Sequence, residues 1–162
     1  MKSAPPSIPP SLLRDPGHLL ALGFGSGLAP RAPGTIGTLA AIPVYLLCAQ
    51  LPLLAYLLVI AATFVMGVYL CGRTARALGV HDHPGIVWDE VVGYLLTMAF
   101  APPGWQWVAA GFVCFRLFDI WKPWPIRVLD RSVHGGLGIM LDDLLAGLVA
   151  GLVLLGIAAL TA

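Results

Sequence analysis

Charge is what this chain has least of. Only 10% of its 162 residues are Asp, Glu, Lys or Arg, and none of these falls between Arg31 and Arg73, between Glu90 and Arg116, or after Asp143. The apolar fraction is 59%, above the ~45–50% of ordinary soluble domains. An ordinary soluble fold is excluded, and an integral membrane protein is expected. Net charge is only +1, with no basic run, so no nucleic-acid partner is implied. Cysteine is scarce as well: Cys48, Cys71 and Cys114 lie in or beside apolar stretches without a CxxC pair, which argues against a disulfide framework or a zinc site. The first residues do not run from a positive region into the apolar core of a removable signal peptide. They carry Pro5, Pro6, Pro9, Pro10 and Pro16 instead. Residues 1–17 therefore read as a short disordered tail ahead of one membrane-embedded domain, 18–162.

The uncharged run after Arg31 is long enough for two crossings at about 20 residues each. Gln50, Leu51 and Pro52 offer a turn near its middle, dividing it into helices near 36–50 and 53–72. Pro102, Pro103 and Gly104 interrupt the next apolar stretch, because proline lacks an N–H donor and clashes with the preceding turn. Helices near 85–100 and 105–121 follow, with a last one from about 142, opened by Asp142 and Asp143 as suits a helix N-terminus. The expected fold is an all-α polytopic membrane bundle of about four to five helices, some of them short for a bilayer. Its uncharged turns lie on one side and its charged loops and helix ends on the other. Arg73, Arg76, Lys122, Arg127 and Arg131 make the charged side cytoplasmic by the positive-inside rule.

Four stretches carry the polar chemistry. In HDHPGIVWDEVVG, residues 81–93, Pro84 suits the first turn of a helix with Asp82 and His83 at its mouth and Asp89 and Glu90 inside. Carboxylates at membrane depth are expensive and by default functional, at about 2.5–3.5 kcal/mol each on insertion scales. The competing account is a helix end at headgroup level with its carboxylates paired to arginine. In FRLFDIWKPWPIRVLDR, residues 115–131, Arg116, Asp119 and Lys122 share one helical face. A surface ladder of ion pairs is the alternative there. In DRSVHGGLGIMLDD, residues 130–143, His134 precedes Gly135, Gly136 and Gly138, which would let backbone N–H groups approach an anion. In GFGSGLAPRAPGTIGT, residues 23–38, the lysine of a Walker loop is missing. Two readings stand for it: close helix packing through small residues, or a re-entrant loop lining the site with Ser26, Arg31, Thr35 and Thr38.

Several carboxylates and several cations on one side suit a hard cation such as Mg²⁺ together with a phosphate. Metal-dependent phosphoryl chemistry on a lipid headgroup is the reading of the residues. No cysteine has an arginine six positions later, and the DxDx[TV], DGxxAR and phosphatidic-acid phosphatase motifs are missing.

Together the four stretches resemble the bacterial phosphatidylglycerophosphatase A family over roughly residues 18–151. The resemblance implies a Mg²⁺-dependent phosphatase of the bacterial inner membrane. Such an enzyme hydrolyses phosphatidylglycerophosphate to phosphatidylglycerol and inorganic phosphate, with its site facing the cytoplasm. Residue roles are expectations from charge and position. Asp82, Asp89, Glu90 and either Asp119 or Asp143 would hold Mg²⁺. Arg116, Lys122 and Arg131, with Arg31 and Thr35, would bind the substrate phosphate. His83 or His134 would act as general acid or base. Asp89 and Asp119 are counted among the catalytic residues; activated water is the favoured nucleophile, and a phosphorylated aspartate the runner-up. Partners are then the lipid substrate and the bilayer, and a homo-oligomer is compatible with the sequence. The rivals are a small transporter or proton-coupled channel, which needs polar groups through the whole membrane thickness, and a membrane adaptor, which needs no metal.

Overall fold

A computed structural model describes residues 6–161, the side chains of residues 129–131 excepted. The described residues form helices and turns, without a strand, as the all-α expectation requires. The main helices are α1 (Pro16–Ala21), α2 (Pro33–Cys48), α3 (Leu53–Leu78), α4 (Trp88–Met98), α5 (Trp105–Trp121), α6 (Ile126–Ser132) and α7 (Gly135–Thr161). Two of them, α3 and α7, are long and apolar enough to cross a membrane, and α2 is a shorter apolar helix.

At about 1.5 Å per residue, the 11 residues of α4 rise only about 16 Å, roughly half of a ~30 Å hydrocarbon core. This helix is the hub of the bundle. It packs against α2, α3, α5 and α7, and nearly all of its residues are buried, Asp89 and Glu90 among them. It starts at Trp88 rather than near 85, because the chain turns first: Gly85 N–H donates to His83 Nδ1 at 3.0 Å and Ile86 N–H to the His83 carbonyl at 2.8 Å. Pro84 therefore lies in the turn before the helix and not in its first turn.

The last helix also departs from expectation. It begins at Gly135, not near 142, so Asp142 and Asp143 sit about two turns inside it. Its glycines are packing surfaces. A Cβ at Gly136 would overlap the Val68 carbonyl of α3, and one at Gly147 the Gly93 carbonyl of α4. Backbone can approach backbone only where both lack bulk, and the Thr97 hydroxyl ties α4 to α7 by lying 3.2 Å from the Gly147 carbonyl. Of the glycines read as an anion-binding loop, Gly136 thus packs on α3 instead, and Gly147 further along brings the helix against α4.

At the end of the bundle away from those carboxylates, the turns at 49–52 and 99–104 meet around a cavity of about 640 Å³ lined without a charged side chain. Within the segment read as a tail, Leu12–Arg14 is a 3-10 turn and Asp15 caps α1 by accepting from Gly17 and His18 N–H. Asp15 also receives two hydrogen bonds from Arg73, at 3.0 and 2.7 Å, while buried His18 shares a 2.8 Å hydrogen bond with Thr74. The Arg73 guanidinium holds the Asp15 carboxyl down at about 2. Burial lowers the His18 imidazole. A carboxyl depressed on folding stabilises above its ordinary range, and that contribution is lost as pH falls through its folded value. The Asp15–Arg73 pair should therefore hold unchanged from pH 5 to 8, whereas the contribution of His18 is full only above the ordinary imidazole range and declines as the pH falls below it. Asp15→Asn is expected to break the pair at neutral pH, read as faster proteolytic cleavage between Leu12 and His18. Equal cleavage rates would show that α1 is held by His18 and packing alone.

Candidate active site

Three helices and a loop deliver charged side chains to one cavity of about 230 Å³, and the start of a fourth helix completes its wall. The first turn of α4 brings Asp89 and Glu90, and the last turns of α5 bring Arg116 and Asp119, with Lys122 capping it in a left-handed conformation. The third turn of α7 adds Asp142 and Asp143, the N-terminus of α2 presents Gly34, and the loop before α4 supplies Asp82 and His83. Asp89, Glu90, Asp119, Asp142 and Asp143 are all more than nine-tenths buried. So many carboxylates out of water are tolerable only with compensating cations.

The compensation present is partial. Arg116 Nη1 lies 2.6 Å from Asp119 Oδ2 and 3.4 Å from Glu90 Oε1, and Lys122 pairs with Asp142. Asp89, Glu90 and Asp143 remain as a group, each offering an oxygen within 4.8 Å of the others. Asp89 Oδ1, Glu90 Oε2 and Asp143 Oδ2 are buried without a hydrogen-bond partner. Three converging acceptors with unused lone pairs are the donor set that a hard divalent cation takes. This fit rests on the convergence of three orphaned oxygens, one from each carboxylate of the group.

The sequence-derived candidates divide by place. The cavity brings together Asp82, His83, Asp89, Glu90, Arg116, Asp119, Lys122 and Asp143. His83 is buried there with both ring nitrogens engaged: Nδ1 accepts from Gly85, and Nε2 reaches the Pro6 carbonyl at 2.9 Å. That fixes its proton on Nε2 and makes it a tie for the loop carrying Asp82. His134 is exposed outside the cavity lining, its ring edge-on to His81 with centroids 4.7 Å apart. Exposed Arg31 and half-buried Thr35 do not line the cavity either. The side chain of Arg131 lies outside the described residues.

The structure adds Asp142 and Gly34 to the lining. Asp142 carries the same signal as Asp89, an acidic pair inside an apolar run, although its position also suits a helix-opening charge. Segment 23–38 packs closely, Gly27 against Gly85 and Gly37 against Val87, and a Cβ at Gly34 would meet Glu90 and Arg116. Of the residues in the re-entrant-loop reading, Ser26, Arg31 and Thr35 do not line the cavity, and Thr38 touches it only through Arg116.

Residues 19–158 match the family model described as phosphatidylglycerophosphatase A. The chain is 57% identical over 139 residues to the phosphatidylglycerophosphatase A of Escherichia coli (strain K12), covering 85% of this chain and 81% of that protein. It is 48% identical over 147 residues to the phosphatidylglycerophosphatase A of Haemophilus influenzae, covering 90% of each. No solved structure matches it significantly.

Proposed function

From its place in the phosphatidylglycerophosphatase A family, to which the chain belongs, we propose that it hydrolyses phosphatidylglycerophosphate to phosphatidylglycerol and inorganic phosphate. The enzyme is a polytopic protein of the bacterial inner membrane serving glycerophospholipid synthesis, and its charged end faces the cytoplasm. The observation that carries this reading is the buried group Asp89, Glu90 and Asp143, with unused oxygens beside Arg116 and Lys122.

Asp89, Glu90 and Asp143 would hold Mg²⁺, with Asp82 at the rim. Mg²⁺ supplies Lewis acidity and neutralises charge on phosphate oxygens when bound. The remaining work falls to the chain. Arg116 and Lys122 bind the equatorial oxygens of the phosphomonoester, through a fork in one case and a point charge in the other. Asp119 and Asp142 hold those two cations in place beforehand, so little reorganisation is left for the reaction. His83 orders the loop that carries Asp82. His81 lines a neighbouring cleft with Asp82 and Asp142, and with His134 against it this imidazole pair is placed to relay protons at the rim. Water attacks phosphorus in line with the glycerol oxygen, which leaves with a proton.

A transport path is not favoured, because the cavity at the far end is lined without a charged side chain. The test is phosphate release from phosphatidylglycerophosphate by purified protein, with Mg²⁺ and then with chelator. Release is expected with the metal and should stop on chelation. Folded protein that releases nothing under either condition would sink the reading.

A further inference from the structure

Arg116 has a third neighbour that the charge pattern does not announce. Thr38, completely buried on α2, donates its hydroxyl to the Gly34 carbonyl at 2.9 Å, a common habit of threonine within helices. That orientation leaves its lone pairs toward Arg116, whose Nη1 lies 3.4 Å away. One turn earlier on the same helical face, Gly34 presses its backbone against the same group. A Cβ there would overlap Glu90 Oε1 and lie 3.1 Å from both Nη atoms.

The guanidinium is thus held between three elements. Nη1 carries two hydrogens: one serves Asp119 at 2.6 Å, and the other is divided between Thr38 and Glu90, both at 3.4 Å. A free arginine–carboxylate pair closes to about 2.7–2.9 Å. Here it stays open, with a neutral acceptor beside Glu90 drawing on the same hydrogen. We propose that Thr38 is a positioning residue that holds Arg116 off Glu90, leaving the Glu90 carboxylate available to a divalent cation and the guanidinium turned toward a phosphomonoester. Gly34 is the complementary requirement, since only a residue without Cβ lets α2 approach closely enough for the hydroxyl to reach. This inference rests on the phosphatase reading and gives segment 23–38 a role in the site.

The variant pair Thr38→Val and Thr38→Ser separates hydroxyl from packing. Valine keeps the shape and removes the acceptor, so Arg116 closes onto Glu90. The Mg²⁺ concentration that half-saturates the metal-induced rise in thermal midpoint, measured without substrate, should increase about tenfold, as expected for loss of a hydrogen bond to a charged group. KM for phosphatidylglycerophosphate should rise similarly while kcat changes less. Serine should stay within about twofold of the parent in both. If valine does not fold, Thr38→Cys, with serine's size and a poor acceptor, carries the same expectation. A serine variant as impaired as the valine or cysteine variant would overturn the proposal, and so would a parental Mg²⁺ requirement in valine or cysteine. Should the parent bind Mg²⁺ and release no phosphate, the phosphatase reading fails, and the thermal comparison still decides the Thr38–Glu90 part.

Discussion

Asp89→Asn is expected to reduce phosphate release by at least ~100-fold, since even outer-shell partners of metal sites cost 10–100-fold when removed. The replacement is nearly the same size, and helix α4 keeps its contacts with α2, α3, α5 and α7, so membrane insertion should be unchanged. The expected effect on stability has the opposite sign. Asp89, Glu90 and Asp143 place three carboxylate oxygens within 4.8 Å of one another, and like charges at such range repel strongly where water is scarce. In chelator, the asparagine variant should therefore unfold at a higher temperature than the parent. With Mg²⁺ the order should reverse, because binding to the folded state alone stabilises it by mass action and the variant has lost a ligand. A thermal melt of both proteins, with and without metal, checks the crossing. Parallel shifts in the two would remove Asp89 from the metal site.

The helices were legible because their signals are local. Apolar runs and the breakers Pro52 and Pro102 place the starts of α3 and α5 and the end of α5 to the residue, whereas α3 runs on to Leu78 rather than stopping near 72. The start of α7 was not legible, since glycine costs about 1 kcal/mol in a helix interior, and HGGLG reads as a loop until Val68 and Gly72 are present to pack on. His83 shows the same limit. Its type suits proton transfer, but its role is decided by the carbonyl of Pro6 and the amide of Gly85, the first of them far away in sequence. The acidic residues were legible by their cost in an apolar chain, and the cavity gathers them. What one-dimensional reasoning lacked was register between distant helices. Thr38 reaches Arg116 only because α2 and α5 cross at that turn, and no spacing within either helix encodes it.

Arg116→Gln should show two separable losses. Its side chain is 13% exposed, and removing the cation from Asp119 and Glu90 leaves buried carboxylates uncompensated, which typically costs about 3–5 kcal/mol. Activity should fall as well, by about 100-fold or more, the scale of deleting one preorganised donor to a reacting oxyanion. Loss of fold could by itself imitate the second effect, and a second substitution tells them apart. Asp119→Asn added to Arg116→Gln removes one of the stranded charges, and residues in direct contact couple non-additively, so the double variant should regain a large part of the lost stability. Nothing in it restores a fork for the phosphate, so its kcat/KM should stay as low as that of the single variant. Lys122, still paired with Asp142, supplies a single point charge and no bidentate geometry. Activity that returned together with the melting temperature would make Arg116 a counter-ion for Asp119 and nothing more. Stability without activity is the result expected of a guanidinium that meets the substrate.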